Sequence, residues 1–399
     1  MKNFDYSLFV EINNLSYIFF VGYVDEHNNF KLVYKSEVPL VGMKDNSVSD
    51  LDSAFNVIKE NIFLMEQKLN FTFKETILIL ENFKPTFINF SGYKKLNGSQ
   101  VLRENITYIL NTLKSCVDKF ELKKKVLHIF NSKFILDNKK IDNLPIGLFG
   151  DFYSHELSFV LISSNDYKNL EIIFDRCNLK IKKTYIKSFI KGAYLSETFN
   201  NKETFFQIKI ENNNSKIFYF ENNSLKYEQD FEFGSDIIVK DISKITSLKI
   251  DNVKDILSNI ELKKDDLSED EILEEKFFKN CIFRKIKKKL IYEIALARAN
   301  EVLELLILNN INLKHYKQFS KKIIFDFNDQ LHLKSLKEIF KDAFMDENHY
   351  EMEFLENVSN ENILNTANRL VHYGWKKEAI PVTQFEKSLI ARFFDAIFG

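Results

Sequence analysis

The chain opens twice in the same way. In the first half an apolar run, Ser7–Ile12, stops at Asn13-Asn14, and Tyr17–Val24 follows. In the second half Thr204–Ile210 meets a polar stretch, Glu211–Ser215, and Lys216–Phe220 follows. Two apolar runs about a short Asn-rich turn read as an antiparallel hairpin, since Asn accepts turn geometry and the flanking runs suit strands. Each hairpin gains a third strand: Phe30–Val38 after the turn Asp25–Asn29, and Leu225–Phe233 after Asn222-Asn223. A meander at the head of each half predicts a duplicated α/β fold. At 399 residues the chain has room for two or more core-forming units.

Between the meanders the period changes. Leu51, Phe55, Ile58, Ile62, Met65 and Leu69 recur at helical spacing behind Ser49 or Asp50 as cap, and Thr76–Leu80 is a short buried strand. Residues 83–163 form a different unit. Its helix is Gln100–Val117, its strands are Lys125–Ile135 and Leu157–Ser163, and a turn-rich loop spans 144–150. A helix over Asn165–Cys177, a strand over Leu179–Ile186 and a helix over Ser188–Ser196 follow. In the second half, residues 236–270 mix helix and acidic linker, and Phe277–Leu308 is a long helical region. Lys321–Phe327 is a strand, with helices near Leu331–Phe340 and over Glu361–Tyr373.

The last sixteen residues gather Phe385, Leu389, Ile390, Phe393, Phe394, Ile397 and Phe398 on one helical stripe. Glu386, Lys387, Arg392 and Asp395 fall opposite, Pro381 stops what precedes, and Thr383 or Gln384 caps the start. The stripe is too short and too charged to span a bilayer, yet it suits a helix lying in the lipid interface. A last helix docked on its own domain is the alternative. Elsewhere the signals are mostly exclusions. A formal charge of −1 gives no global basic footprint for nucleic acid. Cys116, Cys177 and Cys281 are isolated, which fits a reducing cytoplasm and argues against zinc. No signal peptide or transmembrane stretch is visible. His128, His155, His332 and His372 lack ligand spacing, and Gly147 and Gly150 read as loop conformers. Phe is plentiful at 40 residues, with Ile, Lys and Asn, while Gly numbers 10 and Pro 4. This bias suits an AT-rich coding sequence and lowers the weight of any single Lys run or aromatic cluster.

One stretch carries a specific resemblance. Residues 126–195 hold His128 in a strand, Asp137, a Pro145-x-Gly147-x-x-Gly150 loop, Leu157, Asn169, Cys177-Asn-Leu179 and Ala193. The helices Ile294–Glu304 and Thr366–Gly374 add two further matches. Together they resemble the FtsA family of bacterial cell-division proteins, within the actin-like ATPases. An amphipathic terminal helix is a feature of that family too. The resemblance runs in order along nearly the whole chain, specific over 126–195 and weak over 1–80 and 235–280. It implies an actin-like (ribonuclease H-like) duplicated α/β fold with an FtsA-type inserted subdomain and a C-terminal amphipathic helix. Subdomain 1A would take 1–82 with 164–200, the insert 1C 83–163, subdomain 2A 201–235 with 320–376, and subdomain 2B 236–319. Residues 377–399 would be linker and membrane-targeting helix. The implied role is an adaptor that tethers FtsZ filaments to the inner face of the cytoplasmic membrane at the division septum. Its partners would be the FtsZ C-terminal peptide, further copies of itself in an actin-like polymer, membrane lipids and other division proteins.

The implied nucleotide site departs from the family pattern. Actin-like ATPases hold ATP and Mg²⁺ between two hairpins with Gly-rich turns and adjacent Asp residues. Here the first hairpin reads Glu11-Ile12-Asn13-Asn14, and Lys209-Ile210-Glu211-Asn212-Asn213-Asn214-Ser215 stands for the second. The adenosine-side Gly-Gly falls at Phe325–Asp329. Asn in a left-handed turn would keep the hairpins. Glu211, however, would face an anionic phosphate, and Lys209 cannot ligate Mg²⁺. The expectation is a degenerate site, with ATP and Mg²⁺ doubtful and no catalytic residue. For the partner, the family docks the FtsZ peptide on 2B. Arg284, Lys285, Lys289 and Arg298 lie there among Ile282, Ile286, Leu290 and Ile294, a basic and apolar mix suited to an acidic-hydrophobic peptide. A solvated basic helix face is the bland alternative. Two other readings compete with the adaptor: a nucleotide-switched actin-like ATPase, and a pilus-assembly-type scaffold that binds a short peptide in its N-terminal half.

Overall fold

The structure, a computed structural model, describes residues 5–379 apart from 28, 82, 200–203, 264–266, 269, 280–281, 315, 317–321, 328–333, 346–350, 356–357 and 376. The predicted helix over Gln384–Gly399 lies outside the described residues, as do Cys281, His332 and the Asn328-Asp329 end of the adenosine-side turn. The chain divides into two compact units: 1–202 with 222–226 and 359–399, and 203–221 with 227–358.

The first unit begins with the meander, β1 (Ser7–Ile12), β2 (Ser16–Val24) and β3 (Phe30–Pro39), followed by a two-stranded ribbon of β4 (Met43–Lys44) and β5 (Ser47–Val48). Helix α1 (Leu51–Leu69) starts where the Asp50 carboxylate accepts the Asp52 and Ser53 amides, each at 3.1 Å, and stops at Asn70 in the left-handed region. β6 (Glu75–Leu80) runs parallel to β1. Alternation on β1 and β2 then sets the core: Leu8, Val10, Tyr17 and Phe19 pack on Ile58 and Ile62 of α1.

A separate four-stranded sheet follows, in the order β7-β10-β8-β9. It is built from β7 (Thr86–Lys95), α2 (Arg103–Phe120), β8 (Lys124–Leu136), β9 (Lys139–Ile141) and β10 (Phe152–Ser163). Ile109, Leu110 and Leu113 of α2 cover Leu157 and Phe159 of β10. The chain returns to the first sheet through α3 (Ser164–Arg176), β11 (Lys180–Ile186) and α4 (Lys187–Thr198), giving the order β11-β6-β1-β2-β3.

The second unit repeats that order strand for strand. Its meander is β12 (Phe205–Ile210), β13 (Ser215–Glu221) and β14 (Ser224–Phe231), the first residues of β14 grouping with the first unit. Helices α5 (Asp236–Thr246), α6 (Ile250–Asn259) and α7 (Lys288–Leu303) come before β15 (Lys322–Phe327), α8 (Lys334–Met345) and β16 (Glu351–Phe354). The sheet runs β14-β13-β12-β15-β16, with β15 and β16 parallel to β12. The duplication predicted from the two Asn-turn hairpins is therefore present in the sheets.

The helical region predicted from Phe277 is broken. Residues 282–287 lie outside any helix, with Leu273 N–H donating to Ile286 O at 2.8 Å and Lys288 N–H to Glu271 O at 2.9 Å. Ile286 reaches the core from this non-helical segment, so its four-residue spacing to Ile282 and Leu290 imitates a helix stripe. The last helix among the described residues, α9 (Asn360–Tyr373), belongs to the first unit rather than to the second half, and Asn365 Oδ1 accepts from the Phe30 amide at the start of β3.

Candidate functional site

The hairpin turn of the first unit is closed by a side chain. Asn13 Oδ1 accepts from Leu15 N–H at 2.8 Å and from Ser16 N–H at 2.7 Å, and Asn13 N–H donates to Ser16 O at 3.2 Å. This is an Asx turn. Neither Asn13 nor Asn14 takes a positive φ, so the expected left-handed Asn is not how the hairpin survives. A glycine turn leaves its amides free for an oxyanion. Here those of Leu15 and Ser16 are spent inside the turn.

Two residues before Asn13, Glu11 is buried near the end of β1. Lys187 Nζ lies 2.6 Å from Glu11 Oε1 and 2.9 Å from Glu81 Oε2. Glu81 follows β6 and Lys187 opens α4 after β11, so the three charges cap the carboxyl ends of neighbouring parallel strands. That end of an open α/β sheet is where ligands bind. Burial alone would lower the Lys187 pKa, but Glu81 and Glu11 together raise it above the usual lysine range. Burial lifts the Glu11 pKa, and Lys187 pulls it back only in part. Lys187 supplies the positive charge that a divalent cation would bring to such carboxylates.

The second hairpin is also satisfied internally. Lys209 pairs with Glu211, and Glu211 N–H donates to Asn214 O at 2.9 Å. Ser235 N–H reaches Glu211 O and Asp236 N–H reaches Asn212 O, both at 2.9 Å. Gly234 permits this approach: an added Cβ would sit 2.1 Å from Glu211 O and 2.6 Å from Asn212 O. The next amides of α5 turn to Gly234 O and Ser235 O. A helix start is normally a ready anion site through its free amides. At α5 these donors have acceptors in the hairpin and in the helix entry. Ser215 Oγ donates to Phe233 O at 2.8 Å, and Asn212 and Asn213 avoid positive φ.

On β15, Phe325 and Phe327 stack against Phe354 with ring centroids 5.6 and 5.9 Å apart. Phenyl rings thus pack together toward the carboxyl end of β15. The residues in each half do not fit a Mg²⁺-nucleotide: the amides of Leu15, Ser16, Ser235 and Asp236 have acceptors within the protein, Glu11 and Glu211 are paired with lysines, and Asn stands where the turns would need glycine. Lys187, Glu81, Gly234 and Ser235 escaped the sequence reading. A lysine directly after a strand carries little signal in so Lys-rich a chain.

The predicted partner residues separate into two groups. Lys285, Lys287 and Lys289 line a surface cavity of about 520 Å³ with Ile245, Thr246, Ile286 and Leu290, and one carboxylate, Glu293, lies among them. Ile245 is 60% and Leu290 40% exposed, so the cavity presents apolar surface among ammonium groups. Arg284 braces the adjoining loop, donating to Ser247 O at 2.9 Å. Arg298 does not join them: it pairs with Asp241 of α5 and Glu301 of its own helix.

Other singled-out residues are structural. Asp137 Oδ1 accepts from Asp151 N–H and Phe152 N–H at 2.9 and 2.8 Å, and Gly147 takes φ +85°, so the family-like loop shapes the separate sheet. His128 and His155 are buried. Burial pushes the Cys177 thiol up to about 11, away from reactivity. Among the described residues there is no metal-binding cluster, and no helix is long and apolar enough to cross a membrane.

No family model matches the chain. Among curated proteins it is similar to the cell division protein FtsA of Buchnera aphidicola subsp. Schizaphis graminum, 21% identical over 234 residues, 59% of this chain and 56% of that protein. The FtsA of B. aphidicola subsp. Baizongia pistaciae is 21% identical over 318 residues, 78% of this chain and 73% of that one. The match to the former thus spans little more than half of that relative's length. Among solved structures, the PilM-PilN type IV pilus biogenesis complex matches with a TM-score of 0.50 at 8% identity, covering 92% of this chain and 95% of that one. The chain therefore has an actin-like fold, and its sequence is similar to FtsA proteins at low identity.

Proposed function

We propose that this protein is a cell-division adaptor that links FtsZ filaments to the inner face of the cytoplasmic membrane without a nucleotide cycle. The basic-apolar cavity beside Lys285, Lys289 and Leu290 carries the reading. Its chemistry suits a peptide that pairs carboxylates with apolar side chains, the character of the FtsZ C-terminus. Similarity to FtsA proteins supports the division role, and the spent turn amides support an ATP-independent body. In this reading residues 83–163 act as the family's insert and 236–319 as its peptide-binding subdomain.

Membrane attachment rests on the stripe Phe385–Phe398. Seven partly buried apolar residues contribute on the order of 5–10 kcal/mol, less the cost of ordering the segment. Single chains then bind weakly, and self-association or a shared filament supplies avidity. Flotation of FtsZ filaments with lipid vesicles tests the whole assembly. Filaments should float only when the full chain is present, and removal of 384–399 should abolish flotation. Filaments that stay at the bottom with the full chain present would refute the adaptor.

A second reading draws on the first unit. The edges of β8 and β11 border a groove of about 580 Å³ that includes Val126, His128, Thr184 and Tyr185. Sheet edges can accept extended peptides, as a pilus-assembly-type scaffold would require. Saturable binding of the FtsZ peptide at the Lys285 cavity favours the adaptor; a peptide mapped only to the first unit favours the scaffold.

A further inference from the structure

Two apolar side chains stand out from the end of α2. Phe120, its last residue, is 80% exposed, and Leu122, two residues later, is 81% exposed. A frayed helix end would expose such residues by chance, but this turn is fixed on both sides. Glu121 N–H donates to Val117 O at 2.8 Å, and Lys124 N–H to Glu121 O at 2.9 Å. Ser164 N–H, at the start of α3, donates to Lys123 O at 2.8 Å. Val117 lies in the core of the separate sheet, and Lys124 opens β8. Ordered backbone therefore presents Phe120 and Leu122 to solvent.

Cations gather around the pair. Lys119 and Lys123 flank it in sequence, and Lys124 of the same turn lines the groove of about 580 Å³ together with Lys114, Lys125, Lys182 and Lys183. Asp118 and Glu378 are the acidic groups of that lining. Glu121 is taken by Lys124 at 3.3 Å, and Glu171 by Lys125 and Glu75 by Lys182, both at 3.0 Å. Among the described residues Lys114, Lys119, Lys123 and Lys183 form no ion pair, so positive charge is in surplus beside the apolar pair.

Exposed apolar residues rimmed by polar ones mark interaction sites. Two side chains are too little for a folded protein partner, whose interface buries roughly 800 Å² on each side. A lipid surface asks for less: apolar side chains that enter the headgroup boundary, and lysines that meet anionic headgroups. We propose that residues 119–124 are a lipid-contact edge. Phe120 and Leu122 enter the boundary of an anionic membrane while Lys119, Lys123 and the lysines of the groove face its headgroups. The contact is peripheral and sensitive to salt. It is independent of the adaptor reading: neither an FtsZ peptide nor the terminal stripe contributes to it.

Leu122→Trp in the full chain reads this contact locally. The native Trp375 is buried, so a shift in emission reports the added indole. With vesicles of mixed phosphatidylglycerol and phosphatidylcholine the emission should move to the blue and be quenched by brominated acyl chains. Phosphatidylcholine alone should give a smaller shift. Adding Lys119→Glu and Lys123→Glu should raise the lipid concentration at half-maximal shift by at least about tenfold. Vesicles that carry the chain down on sedimentation without a shift would mean that another segment binds lipid, and would overturn the proposal. Equal shifts on neutral and anionic vesicles would overturn it too. A blue shift that grows with protein concentration in the absence of lipid would assign the pair to a second copy of the chain instead.

Discussion

Lys187 holds its ammonium 2.6 Å from the Glu11 carboxylate across the end of an intervening strand, and Glu81, which follows that strand, lies 2.9 Å from the same nitrogen. The buried Glu11 and the half-buried Glu81 both pair with this lysine. Lys187→Met takes the ammonium away from the buried Glu11, and removing one partner of a buried pair costs ~3–5 kcal/mol. Glu11→Gln keeps an oxygen acceptor for Lys187 and should cost less. Urea denaturation of the two variants checks the order. Equal, near-zero losses would show that the triad does not hold the strand ends.

Gly234 makes the second hairpin possible. A methyl group there would meet Glu211 O at 2.1 Å, a contact with backbone that no rotamer relieves. Gly234→Ala should destabilise the protein by ~1–3 kcal/mol, the usual cost of overpacking. The Ser235 and Asp236 amides should lose exchange protection first. Retained protection would separate the hairpin from the start of α5.

His155 predicts an acid limit. It is fully buried against Phe134, and burial lowers its pKa to about 4. The unfolded chain therefore binds a proton below its ordinary value of about 6.5 that the folded chain refuses. The stability from this residue is complete above that value and falls as pH drops toward 4. Between pH 7 and 5 the loss is ~2 kcal/mol. Unfolding midpoints of the wild type and of His155→Phe across this window measure it, and the variant should show the shallower fall.

At the partner cavity, Lys285→Glu with Lys289→Glu should weaken binding of an acidic-apolar peptide by about tenfold or more, with less dependence on salt. Arg298→Ala should leave affinity unchanged and cost about 1 kcal/mol or less, because its ion pairs are partly exposed. Fluorescence anisotropy with a labelled FtsZ C-terminal peptide distinguishes the two. Loss of affinity in Arg298→Ala alone would return Arg298 to the site.

Much of the fold was legible because hydrophobic period and turn residues agreed, as in β1, β2, β12, β13 and α1. β7 and β16 escaped notice: Thr86–Lys95 is mostly half-exposed, so it lacks a buried stripe, and Glu351–Phe354 is too short for any period to show. The break before α7 was hidden because Ile282, Ile286 and Leu290 imitate helical spacing. The degenerate hairpins were legible as missing glycines. What replaced them was not, because Lys187 and Gly234 reach Glu11 and Glu211 through tertiary contact, which local sequence does not encode.

Titration calorimetry of the purified full chain with ATP, with and without Mg²⁺, goes most directly to the claim of a nucleotide-independent scaffold. With the Leu15 and Ser16 amides held by Asn13, and those of Ser235 and Asp236 by the second hairpin, no saturable heat should appear into the millimolar range, weaker than about −4 kcal/mol of binding. Micromolar, Mg²⁺-dependent binding would contradict it. The turns would then open to admit phosphate, and a nucleotide-switched filament would become the better reading.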